Sequence, residues 1–391
     1  MDKDHLKIKS SDRTNLVQEY YFSRKLKEID ELRKQGKNII NLGIGSPDQM
    51  PSGNTINKLV ESAVNPDNHG YQSYNGILAL RTAFAVWYKK YFQIELNPQN
   101  EVLTLMGSKE GIMHISMAFL NPGDEVLIPD PGYPTYSAAS KIAGGIVRTY
   151  DLTAENKWLP DIASLEKEDL SKVKIMWINY PNMPTGAKAT KEFFIQLVAF
   201  AHKHNILLCN DNPYSFILNK EHLSLLSIEG AKNIAIELNS LSKSHNMAGW
   251  RIGMVAGHSE YINSILKIKS NMDSGMFLPL QLAAVEALNN PPEWYDEINE
   301  VYLKRRKIVE EIMDILKCTY DKKQTGLFVW GKIPSTYESA ESLADKVLQE
   351  ANVFITPGFI FGKNGMQYIR ISLCTKENLL KEAKQRISKC I

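Results

Sequence analysis

The sequence predicts an α/β fold: a large domain with a mostly parallel sheet flanked by helices, plus a smaller α+β domain. Three observations carry that expectation. Short, nearly unbroken apolar runs recur along the chain, bounded by Gly, Pro and Asn, as strands buried on both faces require. Helical patterns lie between them, and parallel strands need such crossovers. After about residue 285 the texture changes to a long charge-striped helix followed by isolated strands.

The elements follow in order. Residues 14–36 (TNLVQEYYFSRKLKEIDELRKQG) read as an amphipathic helix stopped by Gly36. Residues 38–42 form a short strand that enters the glycine-rich turn GIGSPD. EVLTLM (101–106) is a strand, and a helix opens after it at Ser108. DEVLIP (124–129) precedes a turn and helix, and VKIMWINY (173–180) precedes a loop and a helix over about 190–204. NILLCN (205–210), NIAIEL (233–238) and RIGMVAG (251–257) complete the buried strands. PPEWYDEINEVYLKRRKIVEEIMDIL is the long helix, and LFVWG (327–331) and YIRISL (368–373) are strands of the smaller domain. With no repeat and no linker of biased composition, the expected division is 46–285 for the large domain. Residues 1–45 and 286–391 then form the small one, since chain ends often lie close together.

Composition narrows the function. Lys and Arg number 46 against 44 Asp and Glu, so there is no electrostatic case for nucleic acid or an anionic membrane. No apolar run reaches the roughly 18–20 residues of a membrane span. The opening MDKDHLKIKSSDR lacks an apolar core, so no signal peptide is expected. Cys209, Cys318, Cys374 and Cys390 are far apart with no C-x-x-C pair, which fits a reducing, cytoplasmic setting better than a disulfide framework or a zinc site. The histidines show no ligand spacing, so no metal is expected, and His245 reads as a local hydrogen-bonding residue.

Several residues near strand ends carry candidate chemistry. Lys243, in Ser240-Leu241-Ser242-Lys243, follows the NIAIEL run, and a desolvated lysine there can form a Schiff base with a carbonyl. Asp211 follows NILLCN, where ligands bind in open α/β sheets, and Tyr214 shares that mouth. Asn182 lies in the proline-bounded loop NYPNMPTG. Gly107, Ser108 and Lys109 open a helix and offer an anion site. Arg251, in GWRIG, and Arg370, in YIRISL, are flanked by apolar residues and should be partly buried against anions. Taken singly, a surface lysine and a turn Asp are the commoner explanations of the first two, and a capped turn, a Ser N-cap and internal salt bridges compete for the rest. Together they supply an amine, an acid, a phosphate cradle and two anion clamps, the parts a pyridoxal phosphate enzyme needs.

On these motifs the chain resembles the class I and II aminotransferases, which are fold type I pyridoxal 5′-phosphate enzymes, from about residue 38 to about 373. The resemblance implies that Lys243 forms the Schiff base and shuttles the proton. Asp211 would pair with the ring nitrogen, Tyr214 and Asn182 would bond the ring's phenolic oxygen, and Tyr133, in DPGYPTY, would stack on the ring. Ser108, the Lys109 backbone, Ser240 and Arg251 would hold the phosphate. Tyr71, in GYQSYNG, would reach the phosphate of the neighbouring subunit, which implies a homodimer. Arg370 would grip the substrate α-carboxylate, with Gly45 in LGIGSPD contacting the same group. The implied reaction is ping-pong transfer of the α-amino group of an L-amino acid to a 2-oxo acid such as 2-oxoglutarate. A C–S lyase or another reaction of the same cofactor, and a ligand sensor, are the alternatives.

The chain departs from the family pattern in two places. The loop before PTG usually carries two asparagines, and the second is Met183 here; the acid motif reads DNPYS, with Asn212 and Pro213 beside the acid. At finer grain, GSKEG, DPGYPTYS, SLSKSHNMAGWRIG and KSNMDSG resemble the subgroup that includes LL-diaminopimelate aminotransferases. That subgroup tends to have a glutamate in the loop after the dimer-contact tyrosine, where this chain reads Gln72-Ser73-Tyr74-Asn75. Tyr20, Tyr21 and Phe22 are candidates for an apolar side-chain pocket, or for the core face of their helix.

Overall fold

The computed structural model of the protein describes residues 8–17, 19 and 21–390, so Tyr20 lies outside the described residues. The strands are β1 Ile40–Asn41, β2 Val102–Leu105, β3 Glu125–Asp130, β4 Ile146–Asp151, β5 Val173–Ile178, β6 Leu207–Asp211, β7 Ala235–Ser240, β8 Gly253–Gly257, β9 Thr319–Tyr320, β10 Phe328–Lys332, β11 Val353–Phe354, β12 Thr356–Pro357 and β13 Tyr368–Ser372. The helices are α1 Tyr21–Lys34, α2 Gly53–Ala63, α3 Leu78–Phe92, α4 Ser108–Phe119, α5 Pro134–Ile142, α6 Ile162–Leu165, α7 Lys191–His204, α8 Leu241–Ser244, α9 Ser259–Lys269, α10 Leu278–Leu288, α11 Pro292–Ile315, α12 Ala340–Ala351 and α13 Glu377–Cys390.

Seven strands form the main sheet in the order β2-β8-β7-β6-β5-β3-β4. The pairs from β7 through β4 are parallel, while β8 runs antiparallel to both β7 and β2. Antiparallel pairing of β8 was not legible in its apolar run. The segment between β7 and β8 holds only the one-turn α8 and a 3-10 turn, too little for a helical crossover. Strand β4 escaped the sequence reading because it lies at the sheet edge and alternates Arg, Thr and Asp with apolar residues. Along β5, Ile175 and Trp177 face one buried cluster while Met176 and Ile178 face the other. An apolar residue at every position from 175 to 178 is the consequence of helices covering both faces.

A second, antiparallel sheet has the order β12-β13-β10-β9, and β1 pairs in parallel with β11. Its core joins Ile40 and Leu42 to Ile312, Val329, Leu343, Ile371 and Leu380. The expected 14–36 helix is shorter than read: Asp12–Leu16 is a 3-10 turn, and α1 starts at Tyr21. Only Ile29 of α1 is fully buried, packed with Ile39, Leu348 and Phe354. Helix α7 has clear sequence punctuation. The Thr190 side chain caps its start, and Asn205 ends it at a φ of 55°.

A fully buried carboxylate sits in the middle of β7. Glu237 in β7 is fully buried and accepts from Tyr88 Oη (3.0 Å), Asn210 Nδ2 (2.8 Å), Asn212 Nδ2 (3.3 Å) and the Leu225 amide (3.0 Å). Burial raises its carboxyl above the ordinary range, and these donors oppose the rise. The carboxylate thereby fixes Asn210 and Asn212, the two residues flanking Asp211. Glu237→Leu should cost about 3 kcal/mol or more in urea unfolding, since it leaves buried donors unpaired. A loss below about 1 kcal/mol would show that the network does not hold these strands.

Candidate active site

The C-terminal ends of β5, β6 and β7 point to one edge of the sheet, and the functional side chains collect there. Register pairing places Ile178 beside Asn210 and Asp211 beside Leu238. A cavity of about 510 Å³ opens at this edge. From the main sheet and its loops it is lined by Ser108, Lys109, Tyr133, Asp211, Tyr214, Ser240, Lys243 and Arg251. Across from these stand Gly45 and Arg370. A larger cleft of about 930 Å³, between Trp158, Lys188 and Tyr368, contains none of them.

Lys243 sits in α8, directly after β7, and its Nζ donates to the Gly45 carbonyl at 2.6 Å. Burial lowers its ammonium pKa, and the nearby Arg370 and Arg251 cations lower it further. Asp211 ends β6. Its Oδ2 accepts from Tyr136 Oη at 3.0 Å, while the buried Oδ1 has no hydrogen-bond partner. Burial pushes the carboxyl up to about 6, against the pull of Tyr136, Ser108 and Lys243. Tyr136 is itself fixed by stacking on Trp177 at 5.1 Å, and Tyr133 meets Tyr136 edge-on at 5.6 Å. Tyr214 is buried, and that burial keeps its hydroxyl protonated.

The anion cradle is built from two turns. Gly107 precedes Ser108 and Lys109, whose amides open the twelve-residue helix α4. Gly107 has a φ of 83°, which favours glycine, and a Cβ there would meet Arg251 Nη2 at 2.1 Å, so the Arg251 tip would have to move. Arg251 is exposed, contrary to the expectation of partial burial. It lies in the left-handed region (φ 57°) and spends its donors on the Ala248 and Met106 carbonyls. Ser240 Oγ lies 2.8 Å from Ser242 Oγ and 3.2 Å from the Ile252 carbonyl. Burial and the Arg251 charge lower the Lys109 ammonium pKa.

Arg370 is buried in β13, in line with the sequence reading, at 4% exposure. Its Nη2 donates to the Gly43 carbonyl at 2.8 Å, and Nη1 lies 3.2 Å from Met183 Sδ. Its guanidinium carbon is 3.9 Å from the Phe328 ring centre and 4.7 Å from that of Phe361. Gly45 is held tight against the same ring, since a Cβ there would meet Phe328 Cζ at 2.2 Å.

Two expected residues are not part of this lining. Asn182 turns away: its Oδ1 accepts from the Thr185 amide (3.2 Å) and hydroxyl (2.7 Å), and its buried Nδ2 is unpaired. Met183 and Asn179 line the cavity instead. Tyr71 is 93% exposed and lies outside the lining residues of this chain's own cavity. Sequence reasoning missed Tyr136, Asn179, Leu26, Phe328, Phe361 and Glu237. A helical i,i+3 step from Tyr133 could have pointed to Tyr136, and a lone acid inside an apolar run to Glu237. The others are brought in only by packing.

Comparison with known proteins supplies the family. The family model described as aminotransferase class I and II matches residues 37–387. The LL-diaminopimelate aminotransferase of Moorella thermoacetica is 42% identical over 374 residues, covering 95% of this chain and 96% of that protein. The enzyme of the same name from Aquifex aeolicus is 43% identical over 380 residues, covering 96% and 98%. Among solved structures, apo-BacF from Bacillus subtilis superposes with a TM-score of 0.94 at 36% identity, covering 98% of each chain. This nearly full-length agreement in sequence and fold establishes that the chain belongs to the class I and II aminotransferases, fold type I enzymes that transfer amino groups with pyridoxal 5′-phosphate.

Proposed function

We propose that the protein transfers the α-amino group of an L-amino acid to a 2-oxo acid, with 2-oxoglutarate as acceptor, as a cytoplasmic homodimer. The observation that carries this reading is a lysine of lowered pKa sharing one cavity with a half-paired buried carboxyl and a buried arginine.

The residues present fit the cofactor. The unpaired Oδ1 of Asp211 suits a ring N–H donor, the α4 amides with Arg251 and Ser240 suit a phosphate, and Lys243 suits an aldehyde. When bound, pyridoxal phosphate supplies a ring that withdraws electrons from the substrate Cα. The chain's own residues do the rest. Asp211 holds a proton on the ring nitrogen, and its carboxyl near 6 is largely ionised at neutral pH. Tyr214 keeps its proton and donates to the ring oxygen; with Asn182 turned away, that contact falls to Tyr214. Tyr133 covers a ring face. Arg370 fixes the α-carboxylate beside Gly45, which orients the Cα–H toward Lys243. Lys243 Nζ, its proton affinity lowered by burial, takes the proton from Cα and later returns it. The two half-reactions share this one site. Residues 46–285 would carry the cofactor, and the remainder would bring Arg370 to it.

Three outcomes test this reading. Lys243→Ala should lower formation of 2-oxo acid by at least about 1,000-fold, and activity within tenfold of the parent would overturn the assignment. Asp211→Asn tests the buried carboxyl. Its pKa is raised in the folded state, so the stability it contributes is present below about pH 4 and lost as pH rises through about 6. The cofactor-stripped variant should therefore be more stable than the parent by about 2–3 kcal/mol at pH 7.5 but by only about 1 kcal/mol at pH 4.5, in urea unfolding. Tyr71 tests the shared site. Tyr71→Ala and Lys243→Ala should each be impaired, and their co-expression should restore activity through one intact site per mixed dimer. No restoration would place Tyr71 outside the partner's site.

A further inference from the structure

We infer that the amino donor carries an apolar side chain, large aliphatic or aromatic, and not a distal ammonium. The inference rests on the transamination reading and names the substrate class of that same site. Arg370 fixes where an α-carboxylate must lie, so the residues that line the cavity beside Arg370 are the ones the donor's side chain meets. Those surroundings are apolar. Phe328, Phe361 and Phe22 stand with ring centres 3.9, 4.7 and 5.5 Å from the guanidinium carbon. Met183 Sδ is 3.2 Å from Nη1, where the family's usual residue is a polar asparagine.

Helix α1 closes the wall. Phe22 and Leu26 are four residues apart, on one face of the helix, and both line the cavity together with Ile44. The helix is held in place from outside the cavity by Ile29 in its own small core and by Tyr21, edge-on to Phe359 at 5.6 Å. The alternative of a purely structural face therefore fails in part: Ile29 serves the core, Phe22 packs against that core and also lines the cavity, and Leu26 lines the cavity.

The cavity also lacks what a distal ammonium needs. Asp211 is the only carboxylate among the described residues that line it, and its free oxygen suits the ring nitrogen. The relatives at 42–43% identity named for LL-diaminopimelate act on a donor whose far end carries a second ammonium and carboxylate. Here that ammonium would be stripped of water among Phe22, Leu26, Ile44 and Phe361 with no acid to receive it. The residues after Tyr71, Gln72-Ser73-Tyr74-Asn75, bring none either.

The test uses two non-reacting carboxylates of equal shape, heptanoate and 6-aminohexanoate, which differ only in a terminal methyl or ammonium. Binding is measured by calorimetry at pH 7.5 to the enzyme loaded with pyridoxamine phosphate, which has no aldehyde to react with the amine of 6-aminohexanoate. Heptanoate should bind at least roughly tenfold more tightly, on the scale by which apolar pockets discriminate. Equal or tighter binding of 6-aminohexanoate would overturn the inference. Leu26→Glu should shrink or reverse the difference, and an unchanged difference in a variant with native circular dichroism would remove Leu26 from the wall. In parallel, the cofactor's visible band is followed with single L-amino acids. Bleaching by leucine, methionine or phenylalanine but not by LL-diaminopimelate supports the inference, and efficient bleaching by LL-diaminopimelate overturns it while leaving transamination intact. No bleaching by any amino acid would instead defeat the transamination reading, and the carboxylate pair would still judge the pocket.

Discussion

Everything at this site depends on withdrawing the amine of Lys243 from bulk water into the cavity. A lysine in solvent is protonated near neutrality and cannot accept a proton. Here the amine is enclosed at the end of β7, bonded to the Gly45 carbonyl from the opposite side of the cavity. The same enclosure raises the Asp211 carboxyl and shields Arg370. One desolvated space thus makes the amine basic only weakly, makes the acid sensitive to a partner, and makes the arginine avid for a carboxylate.

That space exists because two sheets meet across it. The main sheet delivers Asp211 and Ser240 as the last residues of adjacent parallel strands. The antiparallel sheet delivers Arg370 and Phe328 from neighbouring strands β13 and β10. Gly45 lies on the chain that passes between them, close enough to Phe328 that no side chain fits. Below the site, Glu237 fixes Asn210 and Asn212 on either side of Asp211. The carboxyl that faces the cavity is therefore anchored by one that never sees it. The cost of burying Glu237 is offset by four donors.

Recognition and chemistry come from different parts of this arrangement. The amine, acid and anion cradle belong to strand ends and a helix start of the main sheet, where backbone geometry sets their positions. The apolar wall comes from α1, the segment at Ile44, and the second sheet. These can change composition without moving the reacting groups, which is how one scaffold serves donors of different side chain.

The sequence by itself determined the α/β class and the identity of most strands, because each sits in a local signal: an apolar run, a turn, or a helix start; ten of the twelve residues expected at the site line one cavity. Lys243, Asp211, Ser108 and Arg370 were legible for that reason. Only the tertiary structure decided the antiparallel course of β8, the exposure of Arg251, and the exchange of Asn182 for Met183 at the cavity wall. It alone placed Phe22, Phe328 and Phe361 around one guanidinium and Leu26 on the wall of the same cavity. The physical reason is that a turn's side-chain directions and contacts between distant segments depend on packing across the whole molecule, which residue type and local periodicity do not encode.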